Sequence, residues 1–194
     1  MTRAVIIATG PSLTPDDVID SFTLNRRTYV VNDAYLLAPW ADVLYACDEQ
    51  WWSHHEPHTR GFCRWTTTDA AAQKYGLNHI PGRGVETSGV HFDTSGHGII
   101  YGSNSGFQAL NLAYAQGVRD VVLLGFDMGH DPGQPKHFFG SHPSHMDNPT
   151  PFGHCIKQFE RAAPIIAAAG MKVVNATRRT RLTCFPRVAL SECD

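Results

Sequence analysis

The chain has 194 residues, 42% of them hydrophobic and 18% charged, with a net charge of −2 at neutral pH. That length fits one domain with a sizeable core and no need of covalent staples. The charge balance gives no electrostatic reason for nonspecific nucleic-acid binding, leaving only a local basic patch open.

Five cysteines (47, 63, 155, 184 and 193) stand at irregular spacing without a CxxC pair. This is neither a disulfide framework nor a zinc ribbon, so reduced thiols of a cytoplasmic protein are expected. The apolar run Ala4–Ala8 is too short for a signal-peptide core. No apolar span is long enough to read as a membrane helix.

In chain order, the segment Arg3–Ala8 reads as a buried strand and runs into the small-residue loop Thr9-Gly10-Pro11-Ser12. That loop has neither the three glycines of a dinucleotide fingerprint nor the Gly-Lys-Ser/Thr of a P-loop. It reads either as a tight turn or as a nucleotide contact. Thr14-Pro15-Asp16-Asp17 then starts a helix, with Thr as cap, Pro at the first position and acids in the first turn. Further short strands rich in Val, Ile and Leu are predicted at Thr28–Val31 and Val43–Ala46, ending in Asn32-Asp33 and Asp48-Glu49. Trp51-Trp52 reads as an aromatic wall for a base or sugar, or equally as a core plug. Residues 53–98 show weak periodicity and are expected to form an irregular insertion, a small hairpin or lid.

Gly102-Ser103-Asn104-Ser105-Gly106 opens the clearest helix, predicted over Asn104–Gln116 with Phe107, Leu110, Ala113 and Tyr114 on its apolar face. Helix N-termini attract phosphate through unpaired amides and the dipole, and the glycines would let a ligand approach the backbone. A strand at Asp120–Leu124 ends in Gly125-Phe126-Asp127, whose acid suits a ribose contact, a metal or a loop cap. Residues 128–151 are long for a structureless connection and read as a functional loop. It holds His130, His137, His142 and His145, with His154 just beyond. A histidine in a polar cleft can act as general base. Zinc is the competing reading, with Asp131, His137, His142 and His145 as ligands, but their spacing matches no zinc signature, so no metal residue is assigned. A helix is predicted over Phe152–Ala169, with Phe159, Ala163, Ile166 and Ala167 on one stripe and a bend at Pro164. The last strand, Lys172–Val174, leads to Asn175-Ala176-Thr177 and to Arg178, Arg179 and Arg181 at the cleft mouth.

Strand and helix in alternation predict one Rossmann-like α/β domain spanning residues 1–194, with a mostly parallel sheet covered by helices on both faces. Ligands bind outside the carboxyl ends of such strands, so the polar clusters there should converge on one cleft.

The ordered set Gly-Pro-Ser-Leu after the first strand, Asn32, Ser-Asn-Ser-Gly opening a helix, and Gly-Phe-Asp resembles the bacterial CMP-sialic-acid-dependent sialyltransferases. It is also similar to the related MptE-like 6-hydroxymethylpterin pyrophosphokinase superfamily, including small phage-encoded members. The resemblance runs from Ala4 to about Leu190 and is weakest over residues 53–98. It implies that Gly10, Pro11, Ser12 and Asn32 hold the nucleotide of the donor and that Ser105-Gly106 lie beside its phosphate. It further implies a base histidine just before the last long helix, at His142, with His137 and His145 as alternatives. The family's two phosphate-binding tyrosines have no counterpart, since no tyrosine follows Tyr114; Tyr101 or an arginine would have to substitute.

The resulting expectation is a nucleotide-dependent transferase, a small glycosyltransferase that uses a nucleotide-activated sugar and a hydroxyl acceptor and needs no cofactor. Its nucleotide site would comprise Gly10, Pro11, Ser12, Asn32, Asp33, Asp48, Ser103, Asn104, Ser105, Gly106, Gly125, Phe126 and Asp127. One alternative is a Mg²⁺-dependent pyrophosphokinase acting on a pterin alcohol, with Asp33, Asp48 or Asp127 as metal ligands. Others are a non-catalytic phage-type nucleotide-binding protein and a zinc hydrolase. No membrane partner is expected; a modified DNA base is admitted as acceptor, and homo-oligomerisation is left open.

Overall fold

The computed structural model describes residues 2–141 and 150–193. In chain order the elements are β1 (Thr2–Ile7), α1 (Pro15–Thr23), β2 (Arg27–Val31), β3 (Val43–Tyr45), α2 (Glu49–His55), β4 (Cys63–Thr66), α3 (Asp69–Tyr75) and β5 (Asn78–His79). They continue with β6 (Gly82–Arg83), α4 (Val85–Ser88), β7 (Ile99–Ile100), α5 (Ser105–Ala115), β8 (Val118–Leu124), α6 (Phe152–Ala168) and β9 (Lys172–Asn175).

Seven strands form one sheet in the order β5-β4-β3-β2-β1-β8-β9, every neighbouring pair parallel. Because side chains alternate across a strand, each strand feeds two cores. Ala4, Ile6, Tyr29, Val121 and Leu123 face α5 and α6 with Phe107, Leu110 and Phe159. Val5, Ile7, Val30, Val122 and Leu124 face the other layer with Val18 of α1, Trp51 and Trp52 of α2, and Ala71 of α3. The helices therefore cover both faces, as expected for strands that are apolar throughout.

The local signals act as read. Thr14 and Asp17 form a reciprocal capping box at the start of α1: the Asp17 amide donates to Thr14 Oγ1 (3.2 Å), and the Thr14 amide to the Asp17 carboxylate (3.0 Å). Asn104 caps α5 by accepting from the Phe107 amide at 2.7 Å. Helix α5 is buried on every side over Ser105–Tyr114, not on one face alone, because it lies against the sheet and β7, with Phe159 of α6 packed on its Phe107.

Two expectations are corrected and one open reading is decided. Residues 53–98 are no hairpin or lid: they contain β4, α3 and β5, which extend the main sheet, and β6, which pairs in parallel with β7. These strands are two to four residues long and mostly exposed or half-buried, so they carry no apolar run to read. The buried seam of α6 runs through Cys155, Phe159, Ala162 and Ile166, with Ala163 half-buried and Ala167 exposed. Alanines on the flank of a helix carry too little apolar surface to mark the seam. Trp51 and Trp52 are core plugs. The indole of Trp51 donates to Asp33 at 2.8 Å and that of Trp52 to the Ala46 carbonyl at 3.1 Å.

All five cysteines are free thiols. Among the described residues no helix is long and apolar enough to cross a membrane.

Candidate functional site

The chain leaves β1 toward β2 on one side and later places β8 on the other, so the strand order reverses between β1 and β8. Crossover helices diverge there and leave a crevice beyond the strand ends. In this protein the crevice is a cleft of about 420 Å³, a volume suited to a nucleotide-sized ligand. One wall is Thr9-Gly10-Pro11 and another is Gly125-Phe126-Asp127; Asn32 and Asp48 come from the ends of β2 and β3, and Ser103–Gly106 from the start of α5.

The two central loops are bolted together. The Gly10 amide donates to the Gly125 carbonyl at 2.9 Å, and the Ser12 amide donates to the Asp127 carboxylate at 3.0 Å. The approach is so close that a side chain at Gly10 would lie 1.9 Å from Asp127 Oδ1 and 2.5 Å from the Gly125 carbonyl. Gly102 and Gly106 likewise make room for protein: a Cβ there would meet the ring of Phe107 at 2.1 Å or of Phe126 at 2.8 Å. Packing within the fold by itself thus requires their small size.

Backbone strain gathers here. Four non-glycine residues among those described have positive φ, and three of them line the cleft: Asn32 (49°), Ser103 (62°) and Met128 (53°). Such conformations cost about 1–3 kcal/mol each and persist where the surroundings over-determine them, typically at binding sites.

The electrostatics are mixed. The start of α5 lines the cleft, and the Asn104 side chain caps the Phe107 amide there; first-turn amides and the positive dipole end belong to such a helix start. Ser105 Oγ lies 3.3 Å from Cys47 Sγ, a thiol that burial pushes up to about 12, so it is no nucleophile at neutral pH. Burial also raises the Asp127 carboxyl above the usual carboxylate range, and its Oδ1 is buried without a hydrogen-bond partner among the described residues.

The loop before α6 folds back over β1. His137 and Gly140 exchange backbone hydrogen bonds of 3.2 and 3.0 Å, and the Phe138 amide donates to the Thr9 carbonyl at 3.1 Å. This brings His137 into the cleft wall, where Nδ1 lies 2.9 Å from Thr9 Oγ1 and the ring stacks on Phe139. In the tautomer whose Nδ1–H donates to Thr9, Nε2 is the nitrogen with the basic lone pair that a general base needs.

Of the sequence-predicted residues, Gly10, Pro11, Asn32, Asp48, Ser103, Asn104, Ser105, Gly106, Gly125, Phe126, Asp127 and His137 line this one cleft. Ser12 does not; it is buried and ties the β1 loop to Asp127 and to the backbone of Arg179. Asp33 does not either, being turned into the other core between Trp51 and His55 (2.8 and 3.4 Å). Tyr101, the expected tyrosine substitute, packs over Gly82 outside the cleft lining. His142 and His145 lie outside the described residues. Cys47, Gln108, Met128 and Lys136 line the cleft unforeseen. The signal for Gln108 was its place one turn beyond Ser105 on the same helix face; the others have no local signature.

Comparison with protein-family models gives no match, and neither curated proteins nor solved structures contain a significant match to the chain.

Proposed function

We propose that the protein is a nucleotide-dependent transferase, and specifically a small glycosyltransferase that uses a nucleotide-activated sugar. The observation that carries this reading is the meeting of the loops after β1, β2, β3 and β8 with the N-terminus of α5 around one cleft. The motifs behind the resemblance to CMP-sialic-acid-dependent sialyltransferases stand at those strand ends. Two loops locked by Gly10 and Asp127 present a rigid wall, and the start of α5 offers amides and a positive dipole end to a phosphate.

In the reaction, His137 Nε2 takes the proton of an acceptor hydroxyl. The acceptor oxygen bonds to the anomeric carbon, and the bond from that carbon to the phosphate oxygen breaks. Its electron pair stays on the departing nucleotide. The amides at Ser105 and Gly106 stabilise the charge that grows there. His142 and His145, in the same loop, are the alternatives for the base.

The pyrophosphokinase alternative calls on Mg²⁺ between substrate phosphates and cleft carboxylates. Asp48 is exposed in the cleft and suits that role. Asp127 offers less, since Ser12 engages one oxygen and the other is buried.

A thermal-shift screen with CMP, UDP, GDP and ATP, each with and without Mg²⁺, tests the reading. A ligand at a hundredfold excess over its Kd adds about 2.7 kcal/mol, roughly 5–10 °C in Tm for a domain of this size. Stabilisation by CMP without metal supports the glycosyltransferase, and stabilisation by ATP only with Mg²⁺ favours the kinase. No shift with any of the four overturns the nucleotide assignment.

A further inference from the structure

A second compartment of about 340 Å³ opens beside the cleft. The two share Pro11, Asp127, Gly129 and His137, so they adjoin along these residues. The chamber not yet assigned is lined by Arg179 and Arg181 from the loop after β9, facing His130 and Gln134.

Both arginines project from a backbone that is held in place. The Phe126 amide donates to Thr177 Oγ1 (2.9 Å), Thr180 Oγ1 donates to the Phe126 carbonyl (2.6 Å), and the Arg181 amide donates to the Asp127 carbonyl (2.9 Å). The Arg179 amide donates to Ser12 Oγ at 3.2 Å. The Arg181 side chain lies across Gly129, within 3.0 Å of where a Cβ would sit, and its guanidinium donates to the His130 carbonyl at 3.4 Å. The fold has therefore already ordered the backbone that carries these groups, and binding need not repeat that.

Their charge is incompletely matched. Asp131 approaches Arg179 at 3.4 Å, but this pair is exposed (69% and 61%) and so weak. The Asp127 carboxylate is engaged by Ser12 on one oxygen and buried on the other. Among the described residues Arg181 has a carbonyl contact and no ion pair.

We infer that this chamber binds an anionic group, a carboxylate or a phosphate, on the second substrate. Guanidinium groups grip such oxyanions bidentately, which fixes orientation as well as position. The inference rests on the transferase reading: an acid held by Arg179 and Arg181 presents its hydroxyl to His137 where the two compartments meet, while the activated donor occupies the cleft. The acceptor is thus an acidic hydroxyl compound, and a neutral alcohol of the same size is a poor substitute.

The test is an NMR titration of the full chain with inorganic phosphate in one arm and acetate in the other. It follows the arginine Nε–H signals and the backbone amides. Saturable shifts at Arg179 and Arg181, weakened at least tenfold in Arg181→Gln, support the inference, and the tighter arm names the anion. Arg181→Gln keeps the backbone bond to Asp127 and so the loop. Shifts confined to the Ser105 and Gly106 amides, silent arginines in both arms, or unchanged affinity in Arg181→Gln and Arg179→Gln would overturn it. Silent arginines in a protein that nucleotides stabilise refute this inference alone. Arginine shifts in a protein that no nucleotide stabilises refute the transferase reading and leave the anion site standing.

Discussion

Replacing Gly10 by alanine probes the contact on which the cleft is built. Gly10 has no left-handed backbone that would by itself demand glycine, so any cost is steric. The new methyl would sit 1.9 Å from Asp127 Oδ1 and 2.5 Å from the Gly125 carbonyl oxygen, where ordinary contact begins near 3.4 Å. One of these neighbours is main chain inside the β1–β8 crevice and cannot swing aside. Relief requires the two loops to part, which strains the Gly10–Gly125 and Ser12–Asp127 hydrogen bonds. Overpacking costs about 1–3 kcal/mol and a lost hydrogen bond to a carboxylate about 1.5–3 kcal/mol, so the expected loss is about 2.5–6 kcal/mol. Urea unfolding followed by circular dichroism measures it, with Gly61→Ala as control because nothing lies within 4 Å of a Cβ there. The control should stay within about 0.5 kcal/mol of the parent. Adding Asp127→Ala removes the nearest obstacle and should return part of the loss, as non-additivity in the double-mutant cycle. A Gly10→Ala protein as stable as Gly61→Ala, or a strictly additive cycle, refutes the steric argument.

Burial raises the Asp127 carboxyl, so the native state holds its proton more tightly than the unfolded chain does. Its contribution to stability therefore falls as pH rises from the unfolded value of about 3.9 through the folded one. Asp127→Asn should gain on the parent over that window in urea midpoints, and a constant difference from pH 4 to 7 would count against it. Asp17 behaves oppositely: burial opposes ionisation, but hydrogen bonds from Arg178 and Thr14 outweigh it and lower the carboxyl. Its stabilisation is present above the unfolded value and is lost as pH falls through the folded one. Asp17→Asn should cost about 1 kcal/mol at neutral pH, the worth of a helix cap with little added by the exposed Arg178, and the deficit should shrink in acid. Among the cysteines, the exposed Cys63 should be alkylated by iodoacetamide at pH 8 well before Cys47, which is half-buried and whose thiol desolvation pushes up to about 12. Peptide mass spectrometry over time reads the order, and equal rates would contradict the raised Cys47 thiol.

The features legible in the sequence were those set by neighbours along the chain. The Thr14–Asp17 box, the Asn104 cap and the apolar runs of β1, β2 and β8 need only local spacing to declare themselves, and together they imply an open α/β sheet with its ligands at the strand ends. The tertiary structure decided what those ends do. Asn32 and Asp33 are adjacent, yet one lines the cleft and the other is buried against Trp51 and His55. Short, half-exposed β4 and β5 join the sheet without an apolar run because strands at or next to the sheet edge bury little surface. Gly10 and Asp127, and likewise Thr9 and His137, are more than a hundred residues apart and touch only through the pairing of β1 with β8 and the return of the loop before α6. Local pattern determines which way a segment folds. Which side chains share a pocket depends on contacts between distant segments, and no periodicity encodes those.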